Sequence, residues 1–268
     1  MRHIPAIEST QPIAEDAEEP TLVPLDASLF ALRYGSNIPE ASCLFRSMTS
    51  AERPPDELAN VITHGVGLLL SVAAVGYLLR ASAGQPSSPI AAVVVHAVRV
   101  YAITLTLMYL SSTLSHLFYE VEWRKRFRTL DQACIFLLIA GTYTPFAAMY
   151  LNRGWWLGLL VAMWAFAAWG VFRVMQVRDL SQSDKYVFGV MGFLPAISLV
   201  ELSRQAPGAV IGWIIAGGAC YSLGSLFLRL SSSVRYAHAV WRTFVLAGSA
   251  CHYWAILLAV SSLRPAGR

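Results

Sequence analysis

The sequence predicts an all-α, polytopic membrane protein, a bundle of seven transmembrane helices, and three observations carry that expectation. Of 268 residues, 56% are hydrophobic and 13% charged, with a mean hydropathy of +0.53. A soluble domain carries about 25% charged residues, so half the usual surface charge is missing. Apolar runs then recur along the chain, each long enough for a hydrocarbon layer of about 30 Å, which takes roughly 20 helical residues. Finally, no alternating strand pattern or Asn-Gly hairpin signal competes, and helices satisfy their own backbone hydrogen bonds in lipid.

Taken in order, the chain opens on an acidic stretch. Ten of the sixteen Asp and Glu residues precede residue 58. The opening has no apolar signal core and is too acidic for an organellar transit peptide. Residues 1–51 are therefore expected to be a mostly disordered acidic tail, with a short surface helix at Ile38–Met48, and residues 52–268 the membrane domain. The seven spans are 61–79, 92–117, 130–150, 155–176, 186–202, 208–229 and 238–262, of which the fifth is the shortest. "GTYTPF" at Gly141–Phe146 reads as a Pro-kinked helix. Gly208, Gly212, Gly217, Gly218 and Gly224 read as points of close helix approach. Cys43, Cys134, Cys220 and Cys251 show no paired spacing and read as small hydrophobes, not as a disulfide framework.

A net charge of +4 does not indicate nucleic acid here, because the basic residues sit in short loops between apolar spans. With the N-terminus in the cytoplasm, twelve basic residues fall on inner segments and five on outer ones. The positive-inside rule then places the N-terminus in the cytoplasm and the C-terminus outside, opposite to G-protein-coupled receptors.

That orientation brings ionisable groups from four helices to one inner depth. The first span offers Glu57, Asn60 and His64 on one face, the second Ser112 and His116, the third Asp131, and the seventh His238 and Arg242. Each has a structural alternative. Thr129 or Asp131 would cap a helix, Ser112 would bond back to its own helix, Glu57 would favour a helix dipole, and His116 would be a packed ring. Their convergence favours a shared polar cavity. His252 lies about 21 Å along the helix from His238, in the outer half, where His96 and Arg99 are its expected neighbours.

The segments "DELANVITHG", "YLSSTLSH", "LDQACIFLLIAGTYTPF", "GG" followed by "YSLG", and "HAVWRTFVLAGSACHYW" resemble the hemolysin III branch of the progestin and adipoQ receptor superfamily. The resemblance spans about residues 52–262, in order. It implies seven helices, a cytoplasmic N-terminus and a zinc site near the cytoplasmic face. It assigns His116 and His238 as zinc ligands, with Asp131 and Ser112 near a metal-bound water as catalytic candidates. The chain departs from the pattern where the last helix would carry its second histidine: that position is Arg242, and Gln132 follows Asp131. A guanidinium has no lone pair for zinc. Two expectations stay open: Asp131 completes a two-His, one-carboxylate site, or Arg242 replaces the metal as the cation beside Asp131. Three functions follow as expectations. They are zinc-dependent hydrolysis of a lipid amide or ester, a non-enzymatic receptor or lipid-binding protein, and a membrane-permeabilising cytolysin. Membrane lipids are the expected partners and nucleic acid is not.

Overall fold

The computed structural model describes residues 54–83, 88–118, 120–177, 182–231, 233–234 and 236–263, with backbone alone for 54–58 and 182–186. Every regular element among them is helical. The helices are α1 (Pro54–Ala83), α2 (Pro89–Leu117), α3 (Val121–Tyr150), α4 (Trp156–Val177), α5 (Gln182–Phe193), α6 (Leu199–Gln205), α7 (Gly208–Leu230) and α8 (Ala237–Ser262). A 3₁₀ turn, Leu194–Ser198, joins α5 to α6. Among the described residues seven stretches are long and apolar enough to cross a membrane, and each overlaps one predicted span. The protein is an integral, multi-pass, seven-helix membrane protein.

The fifth span, Val187–Gln205, is the only one of the seven broken by such a turn. Pro195 has no N–H to donate, so the ladder tightens locally before α6 resumes. The start of α2 follows capping chemistry. The Ser88 side chain accepts from the Ala91 N–H at 3.1 Å, and Pro89 occupies the first helical position, where no N–H is needed.

Helix α3 is the most deeply buried span. It packs against α2 and α4, with smaller contacts to α5 and α8, while α8 packs against α7 and α1. Phe136 of α3 meets Phe188 of α5 with ring centroids 4.4 Å apart. The proline of "GTYTPF" lies inside a continuous α3, where the Thr144 hydroxyl bonds back to Ala140 and accepts from the Trp164 indole at 3.1 Å. At one end of α3, Phe118, Trp123 and Phe127 stack, and Arg126 lies over Trp123, an aromatic-cationic girdle of the kind found at a lipid–water boundary.

The five glycines expected at close helix approaches divide into two that make them and three that do not. Gly217 lies against the His252 ring and Gly224 against Phe244 and Trp241, so a side chain at either would collide. Gly208, Gly212 and Gly218 face open space and mark no close approach. Cys134, Cys220 and Cys251 are free thiols. The tail, the Ile38–Met48 helix, Cys43 and the Glu57 side chain lie outside the described residues.

Candidate functional site

The site is built where α1, α2, α3 and α8 bring polar residues to one end of the bundle. On α1, Asn60 and His64 share a face and are 2% and 4% exposed. On α2, Ser112 and His116 are also buried, and on α8 Arg242 is 4% exposed although it carries a permanent charge. His238 is half-buried.

The serines of α2 divide their roles. Ser111 and Ser115 bond back to the Met108 and Ser112 carbonyls, at 3.1 and 2.8 Å. Ser112 instead interacts through its hydroxyl with Asp131 of α3, which also lies in the fields of Arg242 and Arg128. Asp131 does not cap its helix: α3 begins at Val121, well ahead of it, because the run "VEWRKRFRT" is helical rather than a loop. Thr129 does not cap either, and bonds back to Lys125.

Between α2 and α8 the histidine rings of His116 and His238 lie 6.3 Å apart, centroid to centroid. The Arg242 guanidinium donates a hydrogen bond to Nε2 of His116. His64 sits in the fields of Arg242, His116 and His238, and its ring lies 5.6 Å from that of Tyr109. Neither nitrogen of His64, nor the side-chain carbonyl oxygen of Asn60, has a hydrogen-bond partner among the described residues. Buried polar atoms of this kind call for a polar partner, supplied by water or a ligand.

The zinc site that the resemblance implies needs an imidazole lone pair at each metal-facing nitrogen. Here the lone pair on His116 Nε2 accepts from Arg242, and the guanidinium offers none in exchange. Among the described residues no group of three His, Cys, Asp or Glu is placed to hold a metal. In this arrangement the donor set does not fit that zinc site.

The expected neighbours of His252 are corrected. His96 is exposed, its Nδ1 bonded to the Ala92 carbonyl, and Arg99 is exposed too. His252 instead stacks on Tyr221, with centroids 5.7 Å apart and planes 16° from parallel. Sequence reasoning passed over Tyr109, Tyr221 and Ser249, which pack behind the polar cluster. The available signal was a tyrosine on α2 one helical stripe above His116, spaced by seven residues.

A seven-helix membrane bundle with a buried polar cluster at one end defines the class. The family model described as haemolysin-III related matches residues 53–253, and the chain belongs to that family. It is 36% identical to Hemolysin-3 of Bacillus cereus over 209 residues, covering 76% of this chain and 92% of that one. It is 28% identical to the human monocyte to macrophage differentiation factor over 171 residues, 59% of this chain and 67% of that one. The adiponectin receptor protein of Drosophila melanogaster is 28% identical over 162 residues, 52% of this chain and 36% of that one. No solved structure matches.

Proposed function

We infer that this haemolysin-III related protein is a non-enzymatic, receptor-like membrane protein that binds a lipid-type ligand through its buried polar cluster. In it, the Arg242 guanidinium serves as the cation that zinc would otherwise provide. The observation that carries the reading is the buried Arg242 donating to His116. A fixed cation there repels a second one and uses the imidazole lone pair that a metal would need. The unpartnered nitrogens of His64 and the Asn60 carbonyl supply donor and acceptor capacity for a ligand headgroup. A protein named as an adiponectin receptor among the relatives supports reception, and a closely packed hydrophobic core runs through the described residues.

The hydrolase reading makes a different demand, a tightly held metal. Metal analysis of purified protein separates them. Wild-type protein should hold zinc well below one ion per chain, and Arg242→His should raise it toward one by restoring an imidazole at that position. If wild-type protein already carries one zinc per chain and Arg242→His adds none, the metal-free reading is wrong.

A further inference from the structure

The end of the bundle opposite the polar cluster carries a groove framed by α1 and α8. Its volume is about 650 Å³, within the range of small-ligand sites, and Tyr77, Arg80, Trp254, Leu257, Leu258 and Ser261 line it. Arg80 stands in the last turn of α1, about 24 Å along the helix from His64. Ser261 lies in the last turn of α8, and its hydroxyl bonds back to the Leu257 carbonyl at 2.8 Å, which leaves its oxygen to accept. Trp254 lies about 10 Å deeper along α8 than Ser261. The wall behind is firm. Tyr253 ties α8 to α1 by donating to the Ala74 carbonyl at 2.9 Å, and Leu78, Ala259 and Val260 are fully buried.

The groove is graded from a charged mouth to an apolar floor. Arg80 is the one charged group among its lining residues; it is exposed, and no carboxylate lines the groove to neutralise it. A cation at a helix C-terminus complements the dipole, but that role needs neither a groove beside it nor an aromatic wall. Tyr77 and Trp254 are 63% and 46% exposed and stand near the ends of their spans, where such rings favour the boundary between headgroups and hydrocarbon. Cation, aromatic ring and aliphatic side chain, from the mouth inward, match the phosphate, glycerol and acyl chain of a phospholipid. An empty groove facing lipid tails would forfeit dispersion contacts along its walls, so a chain from the bilayer is its natural filling. A second protein copy fits less well, because seven lining residues fall far short of the roughly 20–30 a side of a stable interface.

We propose that this groove holds one anionic phospholipid from the leaflet on its side of the membrane. The Arg80 guanidinium clasps the phosphate through its planar fork of donors, and an acyl chain lies along Trp254, Leu257 and Leu258. The Ser261 oxygen accepts from a hydroxyl of the headgroup, where one is present. A zwitterionic headgroup brings its own cation to the mouth beside Arg80 and is bound more weakly. The lipid bridges α1 and α8 at the end where Tyr253 already joins them. The site stands apart from the polar cluster and does not depend on what that cluster binds.

The test titrates the full-length protein, purified in detergent, with phosphatidylglycerol or phosphatidylcholine and counts bound lipids by native mass spectrometry. Wild-type protein should retain one phosphatidylglycerol per chain more tightly than phosphatidylcholine. Arg80→Gln should weaken phosphatidylglycerol by about tenfold, the loss of one charge-assisted contact, and leave phosphatidylcholine nearly unchanged. Leu258→Trp, which fills the apolar part of the groove, should weaken both lipids. Arg153→Gln, an arginine of the same end that does not line the groove, should bind like wild type. Thermal unfolding in detergent identifies a variant that fails to fold, and Ser261→Leu at the exposed mouth then takes the place of Leu258→Trp. Four results would each overturn the proposal: equal retention of the two lipids, wild-type binding by folded Arg80→Gln, equal weakening by Arg153→Gln, or displacement of the lipid by inorganic phosphate alone. A lipid-free dimer that Leu258→Trp dissociates would overturn it too, and would give the groove to a second copy of the chain.

Discussion

Arg242 is the residue on which the inner cluster turns. A guanidinium cannot shed its proton, so its burial at 4% exposure holds only while partners surround it. His116 accepts from it, and its field reaches Asp131, itself engaged by Ser112. Truncation therefore leaves Asp131 with the weaker field of Arg128 and the Ser112 hydroxyl, and the roughly 3–5 kcal/mol that removing one partner of a fully buried charged pair costs is an upper bound on the loss. Arg242→Ala should lower the thermal unfolding midpoint in detergent, and Arg242→Ala with Asp131→Asn should recover part of the loss. Equal midpoints for the single and double variants would show that the two charges are not coupled. Arg242→Lys should fail to restore the contact fully, because an ammonium lacks the planar fork of donors. This is a separate readout from zinc content, which reports on His116 and His238 rather than on stability.

Helix pairing is set by where small residues permit contact. The α7–α8 interface is built on Gly217 under His252 and Gly224 under Phe244, whose Cβ would lie 2.7 Å from a new side chain. With no hydrophobic driving force between helices in lipid, such close packing supplies much of their association. Gly224→Val should therefore destabilise the protein by roughly 1–3 kcal/mol of overpacking strain. Gly212→Val, facing open space, should shift the unfolding midpoint little; comparable losses would remove the packing explanation. The five glycines look alike in sequence, because which face of α7 meets α8 is decided by partners far along the chain. The spans were legible for the opposite reason. Apolar length is a local property, and all seven fall where hydropathy puts them, the 3₁₀ turn at Pro195 included in the short fifth one. The polar groups of Ser112, His116, His238 and Arg242 were legible as a cluster because helix period fixes their depth. The hydrogen bond from Arg242 to His116 was not, since it depends on the rotation of α8 against α2, and neither was the pairing of His252 with Tyr221. The helical start of α3 at Val121 was hidden by charge: "WRKRF" reads as a loop until its aromatic residues stack at the helix end.

Seven crossings place the two ends of the membrane domain on opposite sides, and the distribution of charge decides which is which. The girdle at the start of α3 combines Phe118, Trp123 and Phe127 with Arg124, Lys125, Arg126 and Arg128, all at the end of the bundle that carries His116 and Arg242. The opposite end holds Arg80 and Arg153, with the rings of Trp155 and Trp156 in tilted contact beside the latter. Translocating a dense basic cluster across a membrane is disfavoured, and short loops weigh most in this balance. The twelve-to-five excess of basic residues therefore predicts that the polar cluster faces the cytoplasm, with the N-terminus on the same side and the C-terminus across the membrane. Fluorescent-protein fusions should fluoresce at the N-terminus, and alkaline phosphatase, active only after export, should work at the C-terminus. Moving Arg124, Lys125, Arg126 and Arg128 to glutamine should weaken the preference, because the largest inner cluster is then lost. Phosphatase activity at the N-terminus and none at the C-terminus would invert the assignment, and the polar cluster would then meet its ligand from the outer side. Activity of the same reporter at both ends would instead remove one crossing, and the broken fifth span is the one whose length permits it.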